Sequence, residues 1–317
     1  MSGSMFRRGL LALVVFVGLA GGLAGGLAGG LAGGAVAQQA AKLQGFPTAD
    51  AAANAFTDAV RKGDQKTLGA LLGPQWGEFV PTTSAQREER RKAYLAAWDE
   101  GHEVKVSGDK AAIMAGKAGW TLPIPLVKDG AEWRFDPVAG WREMRLRQIG
   151  HDEAAVVQTM LAIVDAQRDY AAMDPMKTGS PVYARRLLSS PGRKDGLYWE
   201  AKPGEPQSPL GPAVARAQAD GNSPDGHYGY YFRLLYGQGP AAPGGTRDYI
   251  VNGRMMGGFG AIAWPVRYGV TGVMTFIVDY KGEVYQQDLG PETAQKAGML
   301  NTFNPDKGWV KADMTPP

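Results

Sequence analysis

The chain has no cysteine at all among its 317 residues. That excludes a disulfide framework, a thiolate nucleophile, an iron–sulfur cluster and any cysteine-ligated zinc. Histidine occurs only 3 times, at His102, His151 and His227. These are far apart in sequence, and no close pair of the kind that holds zinc is present. Charge of one sign is also missing. Lys and Arg number 34 against 31 Asp and Glu, a formal +3, too weak a field to argue for nucleic acid. No Gly-x-Ser-x-Gly elbow occurs. What is present is an ordinary globular balance: 44% hydrophobic residues, 21% charged residues, and 8 Trp, 12 Tyr and 10 Phe to bury. A chain of this length and composition folds, and its size suggests about two domains.

The N-terminus reads as a secretory signal, residues 1–37. Arg7 and Arg8 form a positive region, no charge follows from Gly9 to Ala37, and Ala35-Val36-Ala37 is a small-residue cleavage site. The expected location is periplasmic or secreted. The alternative is a retained anchor, since the uncharged run exceeds the roughly 20 residues a bilayer needs. Its Gly-Leu-Ala-Gly repeats make a poor isolated helix and favour cleavage. Removing Arg7 and Arg8 takes the formal charge from +3 to +1. The expected partners therefore include no nucleic acid, and no span is expected after cleavage.

The remainder reads as α+β in two domains. In residues 44–150, Thr48 caps a helix over Ala51–Val60, and Gly63-Asp64 ends it. Helices follow over Gln65–Leu72 and Gln86–Asp99. The period then changes to short strands, with Asp129-Gly130 as a hairpin turn. In residues 151–317, Asp152 is the expected N-cap of a helix over Glu153–Ala172, whose apolar stripe includes Val157, Leu161 and Val164. A Pro/Gly-rich stretch with short helices at Arg185–Leu188 and Pro212–Ala219 comes next. Strands are expected over Tyr228–Tyr236, Tyr249–Val251, Gly258–Trp264, Thr275–Val278 and Glu283–Gln287, the last two joined by a Lys281-Gly282 turn.

Several resemblances are carried by these residues. Leu126–Asp136, with the Arg61–Asp64 helix end, loosely resembles the nuclear-transport-factor-like cone folds. Ala154, Leu161, Ile163, Ala166-Gln167 and Tyr170, with the strand run Gly272–Asp279, resemble the head domain of pilins and pseudopilins. A whole domain stands between the apolar N-terminus and Glu153, so the chain cannot enter a pilus in the usual way. Across nearly all of residues 46–310, the strings Leu122–Val127, Trp133–Asp136, Asp165–Tyr170, Pro191–Trp199, Tyr230–Arg233 and Tyr249–Pro291 resemble an uncharacterised bacterial family, the domain of unknown function 2950. That resemblance implies an exported envelope protein and no activity. Many of its members carry an acidic Asp-x-Asp-x-Asp-Gly loop after this helix, a pattern suited to calcium. Met173–Ser180 retains only Asp174 and has Lys177, so no calcium is expected here.

Candidate chemistry is sparse. Gly253–Gly260 lacks a following helix, so its glycines read as turns rather than a phosphate cradle. Asp195, Trp199, Glu200, His227 and Tyr230 are the candidate ligand-binding residues, because loops with Trp, Tyr and acids can bind sugars and His227 stands beside Tyr228 and Tyr230. No catalytic residue, metal or cofactor is assigned. The leading reading is a non-enzymatic adaptor or binding module with an envelope protein partner. One alternative is a hydrolase of envelope carbohydrate or peptide using Asp195, Glu200 and Glu205. Another is small-ligand binding in the first domain near Trp120 and Trp133.

Overall fold

The computed structural model describes residues 43–80, 83–219 and 223–316. The expected signal segment and its cleavage site lie outside the described residues. The fold is α+β and divides into two compact units after Glu143.

In the first unit, α1 (Ala49–Lys62) begins where the Thr48 hydroxyl accepts from the Ala51 N–H at 3.1 Å. It ends at Gly63, whose φ of 66° is a left-handed conformation that glycine adopts without a Cβ penalty. Asp64 then caps α2 (Gln65–Leu72) through the Thr67 N–H. Helix α3 (Ser84–Glu100) leads into strands β1 (His102–Ser107), β2 (Lys110–Ala115), β3 (Trp120–Thr121), β4 (Leu126–Asp129) and β5 (Glu132–Phe135). These form an antiparallel sheet in the order β1-β2-β4-β5, with β3 also on β2. Alternation on β2 buries Ala111, Ile113 and Ala115, and the first two meet Phe56, Leu71, Trp98 and Phe135 in one core.

Helix α4 (Pro137–Met173) corrects the expected helix start. It starts sixteen residues earlier than Glu153, at Pro137, with Asp136 accepting from the Ala139 N–H at 2.9 Å. Asp152 is an interior residue rather than a cap, and Gly150 is carried through the helix. One helical glycine costs only about 1 kcal/mol, too little to break a helix this long.

In the second unit, α4 buries Met160, Ile163, Val164, Gln167 and Tyr170, a run at helical spacing. Met160, Ile163, Val164 and Tyr170 lie in a core with residues of the antiparallel sheet β15-β13-β12-β11-β6. Its strands are β6 (Tyr230–Leu235), β11 (Gly260–Pro265), β12 (Met274–Asp279), β13 (Val284–Asp288) and β15 (Val310–Lys311). The expected hairpin is there: β12 pairs with β13 and Gly282 has φ 91°. Helices α5 (Pro212–Arg216) and α6 (Thr293–Met299) are short. Small strands β7 (Gly237–Gln238), β8 (Arg247–Asp248) and β14 (Thr302–Phe303) make a second sheet, and β9 (Ile250–Val251) pairs with β10 (Arg254–Met255). Arg185–Leu188 is not a helix. Its carbonyls accept from the partner segment instead, Leu197 N–H to Arg186 at 3.0 Å and Tyr198 N–H to Leu187 at 2.9 Å. No helix among the described residues is long and apolar enough to cross a membrane.

Candidate functional site

The residues singled out by sequence do not converge. Tyr230 is fully buried, and its hydroxyl donates toward Glu153 Oε1 at 3.1 Å or the Met274 carbonyl at 3.0 Å. Burial pushes its phenol far up, with the Glu153 charge adding to the shift. Tyr230 is therefore a strut between α4 and the sheet. His227 lies against the Tyr228 ring, 4.4 Å between centroids, and burial lowers its pKa. Trp199 is buried, meets Tyr170 edge-on at 6.4 Å and donates to the Pro206 carbonyl at 3.3 Å. Glu200 is exposed, and Glu205 pairs with Lys194 at 3.1 Å. In the first unit, Trp133 is core and Trp120 is partly exposed beside Tyr94.

Asp195 does reach a concave surface. A cleft of about 900 Å³ in the second unit is lined by Tyr170, Asp174, Lys177, Arg185, Arg193, Asp195 and Arg254, among others. Its volume falls within the range of small-ligand sites.

The walls of the cleft are built by side chains that substitute for missing backbone partners. Gln167, fully buried on α4, donates from Nε2 to the Ala184 carbonyl at 2.9 Å and accepts the Ala184 N–H at 2.8 Å. An amide side chain thus pairs with residue 184 as a neighbouring strand would. The next residues, Arg185 and Arg186, are held on the cleft wall. Tyr183 N–H donates to the Met255 carbonyl at 2.9 Å, which fastens the same segment beside Arg254.

Two aspartates shape the loops. Asp174 accepts from the Thr178 N–H and hydroxyl, each at 2.8 Å, and from the Gly179 N–H at 2.8 Å. Those backbone and hydroxyl donors hold its carboxyl below the usual range. Asp195 accepts the Ser190 N–H at 2.7 Å and the Ser190 hydroxyl at 2.9 Å. Burial pushes its pKa up, but the Ser190 hydrogen bonds outweigh it and the net shift is downward. Both groups are thus stabilised as carboxylates and serve their own loops. This is a different use from the acidic-loop chemistry of a calcium site: the Asp174 oxygens face its own turn.

The cations differ. Arg186 donates to the Ser190 hydroxyl at 2.5 Å, and Arg185 donates to the Gly253 carbonyl at 3.2 Å. Among the described residues, Lys177, Arg193 and Arg254 form no side-chain hydrogen bond or ion pair. Five cationic residues against two carboxylates give the lining a net +3, as much as the whole chain carries. The loop geometry is also strained. Asp174 at φ 42° and Lys177 at φ 53° are two of four non-glycine residues with positive φ among the described residues. Such conformations cost free energy and cluster where a side chain must be held in place.

Sequence reasoning reached Asp195 but missed Gln167, Lys177, Arg185, Arg186, Arg193 and Arg254. The available signal was the density of basic residues in a loop, Arg185-Arg186 and Arg193-Lys194, with few acids to answer them. In Gly253–Gly260, Gly253 sits in an open turn at φ 74°, whereas a Cβ at Gly257 or Gly258 would collide with Asp248 or Tyr249. Among the described residues no group of three His, Asp or Glu could hold a metal.

A family model described as "Protein of unknown function (DUF2950)" matches residues 43–312, so the chain belongs to that family. No curated protein and no solved structure matches the chain, and neither the pilin-head nor the cone-fold likeness gains support.

Proposed function

We propose that this member of the family is an exported, non-enzymatic binding module whose ligand occupies the cleft of the second unit. The observation that carries the reading is chemical quiet beside fixed recognition groups. The cleft's carboxylates are engaged by Ser190 and by the Asp174 loop and are stabilised in the ionised form. Neither is available as a general acid. The carboxylates that a hydrolase would need are dispersed: Asp195 is engaged, Glu200 is exposed and Glu205 is paired with Lys194. Binding groups, in contrast, are abundant, and Gln167 anchors residue 184 next to two of them, Arg185 and Arg186.

Export is part of the same proposal and rests on Arg7, Arg8 and the Ala35-Val36-Ala37 site. N-terminal sequencing of chain recovered outside the cytoplasm should find Gln38 first. Cytoplasmic chain with its first residues intact would overturn it.

The cleft is tested by retrieving tagged chain from the envelope fraction of producing cells and weighing it by native mass spectrometry. Wild type should retain a bound species that a cleft-filling Val182→Trp variant, checked for folding by circular dichroism, does not. Loss of bound species from both, or turnover of an envelope polymer by the purified chain, would refute the binding-module reading.

A further inference from the structure

The geometry points to a phosphate group as the feature of the ligand that this cleft recognises, and we propose that the cleft binds a phosphorylated molecule. The proposal rests on the binding-module reading and adds the ligand's chemical class.

Three observations carry it. First, the lining is cationic beyond what its own acids neutralise. Among the described residues, Lys177 and Arg193 form no ion pair or side-chain hydrogen bond. Arg254 acts on the Asp174 carboxylate and Arg186 on the Asp195 carboxylate through charge alone, without a direct ion pair. A carboxylate is a single charge that one arginine satisfies bidentately. Five cations against two acids on one concave wall leave an excess that fits a dianion with three or more acceptor oxygens, and phosphate is that group. Second, the two acids on the lining stay charged but are engaged by neutral donors of their own loops, so neither takes one of the cleft's cations into an ion pair. Asp174 faces donors of residues 178 and 179, and Asp195 faces donors of Ser190. Third, one of the cations is held at a conformational cost. Lys177 occupies a left-handed φ of 53° that glycine would adopt freely, within a loop braced by Asp174.

The cleft, at about 900 Å³, is far larger than a bare phosphate fills. Tyr183 and Tyr236 also lie on its lining, Tyr236 with an exposed side chain. The same phosphate chemistry can come from the free ion or from an ester on a sugar, and the two are separable by experiment.

The full mature chain is titrated calorimetrically with inorganic phosphate, with glucose 6-phosphate and with glucose, at fixed ionic strength. Both phosphates should bind and glucose should not. The tighter of the two phosphates names the source. Binding should weaken as salt is raised, since the attraction is between charges. The double variant Arg193→Ala/Arg254→Ala should lose about tenfold or more in affinity. Lys177→Gly, which keeps the backbone conformation and removes the charge, should lose affinity without loss of folding, and Arg193→Lys should retain most of it. Glucose binding as tightly as its phosphate would overturn the proposal. So would an absence of binding by both phosphates, or phosphate binding that the variants leave unchanged. A neutral species recovered with the chain from cells would sink this inference while leaving the binding module standing.

Discussion

Removing the Glu153 carboxylate should loosen the second unit by an amount the structure allows to be worked out. One oxygen of Glu153, on α4, accepts the Val273 N–H at 2.8 Å, the Met274 N–H at 2.9 Å and the Tyr230 hydroxyl at 3.1 Å. It therefore ties the long helix to the start of β12. In Glu153→Ala the Tyr230 hydroxyl keeps the Met274 carbonyl at 3.0 Å. The two backbone N–H groups lose their acceptor, at about 1–3 kcal/mol each. Glu153 is only half-buried, so water can reach the gap, and a loss of about 2–4 kcal/mol is expected. For a unit of this size each kcal/mol lowers Tm by about 2–4 °C, so calorimetry should show a fall of roughly 4–16 °C. Glu153→Gln keeps an acceptor oxygen and loses only the charge, and should cost about half as much. Two results would refute the reasoning: an alanine variant as stable as wild type, or a glutamine variant as damaged as the alanine one.

Other outcomes follow from the same core. A Cβ at Gly272 would run into the Tyr230 ring and hydroxyl, so Gly272→Ala should destabilise the second unit by about 1–3 kcal/mol in denaturant unfolding. Thr275 is fully buried, and among the described residues its hydroxyl has no partner. Thr275→Val should therefore raise stability by about 1 kcal/mol, read from the same unfolding curves. The Asp174 and Asp195 carboxyls are held below their ordinary range, so the stability they contribute is present above about pH 4 and is lost as pH falls through their lowered values. Asp195→Asn should flatten that part of the acid-unfolding profile. His227 is also lowered, by burial, so the unfolded chain takes up its proton first. Stability should begin to fall as pH drops below about 6.5, and His227→Gln should remove that slope.

What the amino-acid sequence determined by itself is whatever rests on neighbours in the chain. Thr48, Gly63 and Asp64 set the ends of α1 and α2, because capping needs only a hydroxyl or carboxylate within three residues and a glycine free to turn left-handed. Asp129-Gly130 and Lys281-Gly282 mark hairpins for the same reason. The α+β class follows from the shift between helical and alternating patterns. The family could also be read from strings of adjacent residues. The start of α4 escaped because Gly150 and Asp152 look like a boundary locally, while packing along both ends of a 37-residue helix overrides one weak position. Arg185–Leu188 escaped because its backbone partners are Leu197 and Tyr198, and nothing in the segment itself announces them. The cleft was the least legible feature. It joins the end of α4 and the loop after it to Tyr236, Gly253 and Arg254, and it depends on Gln167 reaching residue 184. Which cations remain without a partner is a property of that assembly. A charge in a sequence becomes a binding group only when tertiary packing brings several together in excess of the acids around them.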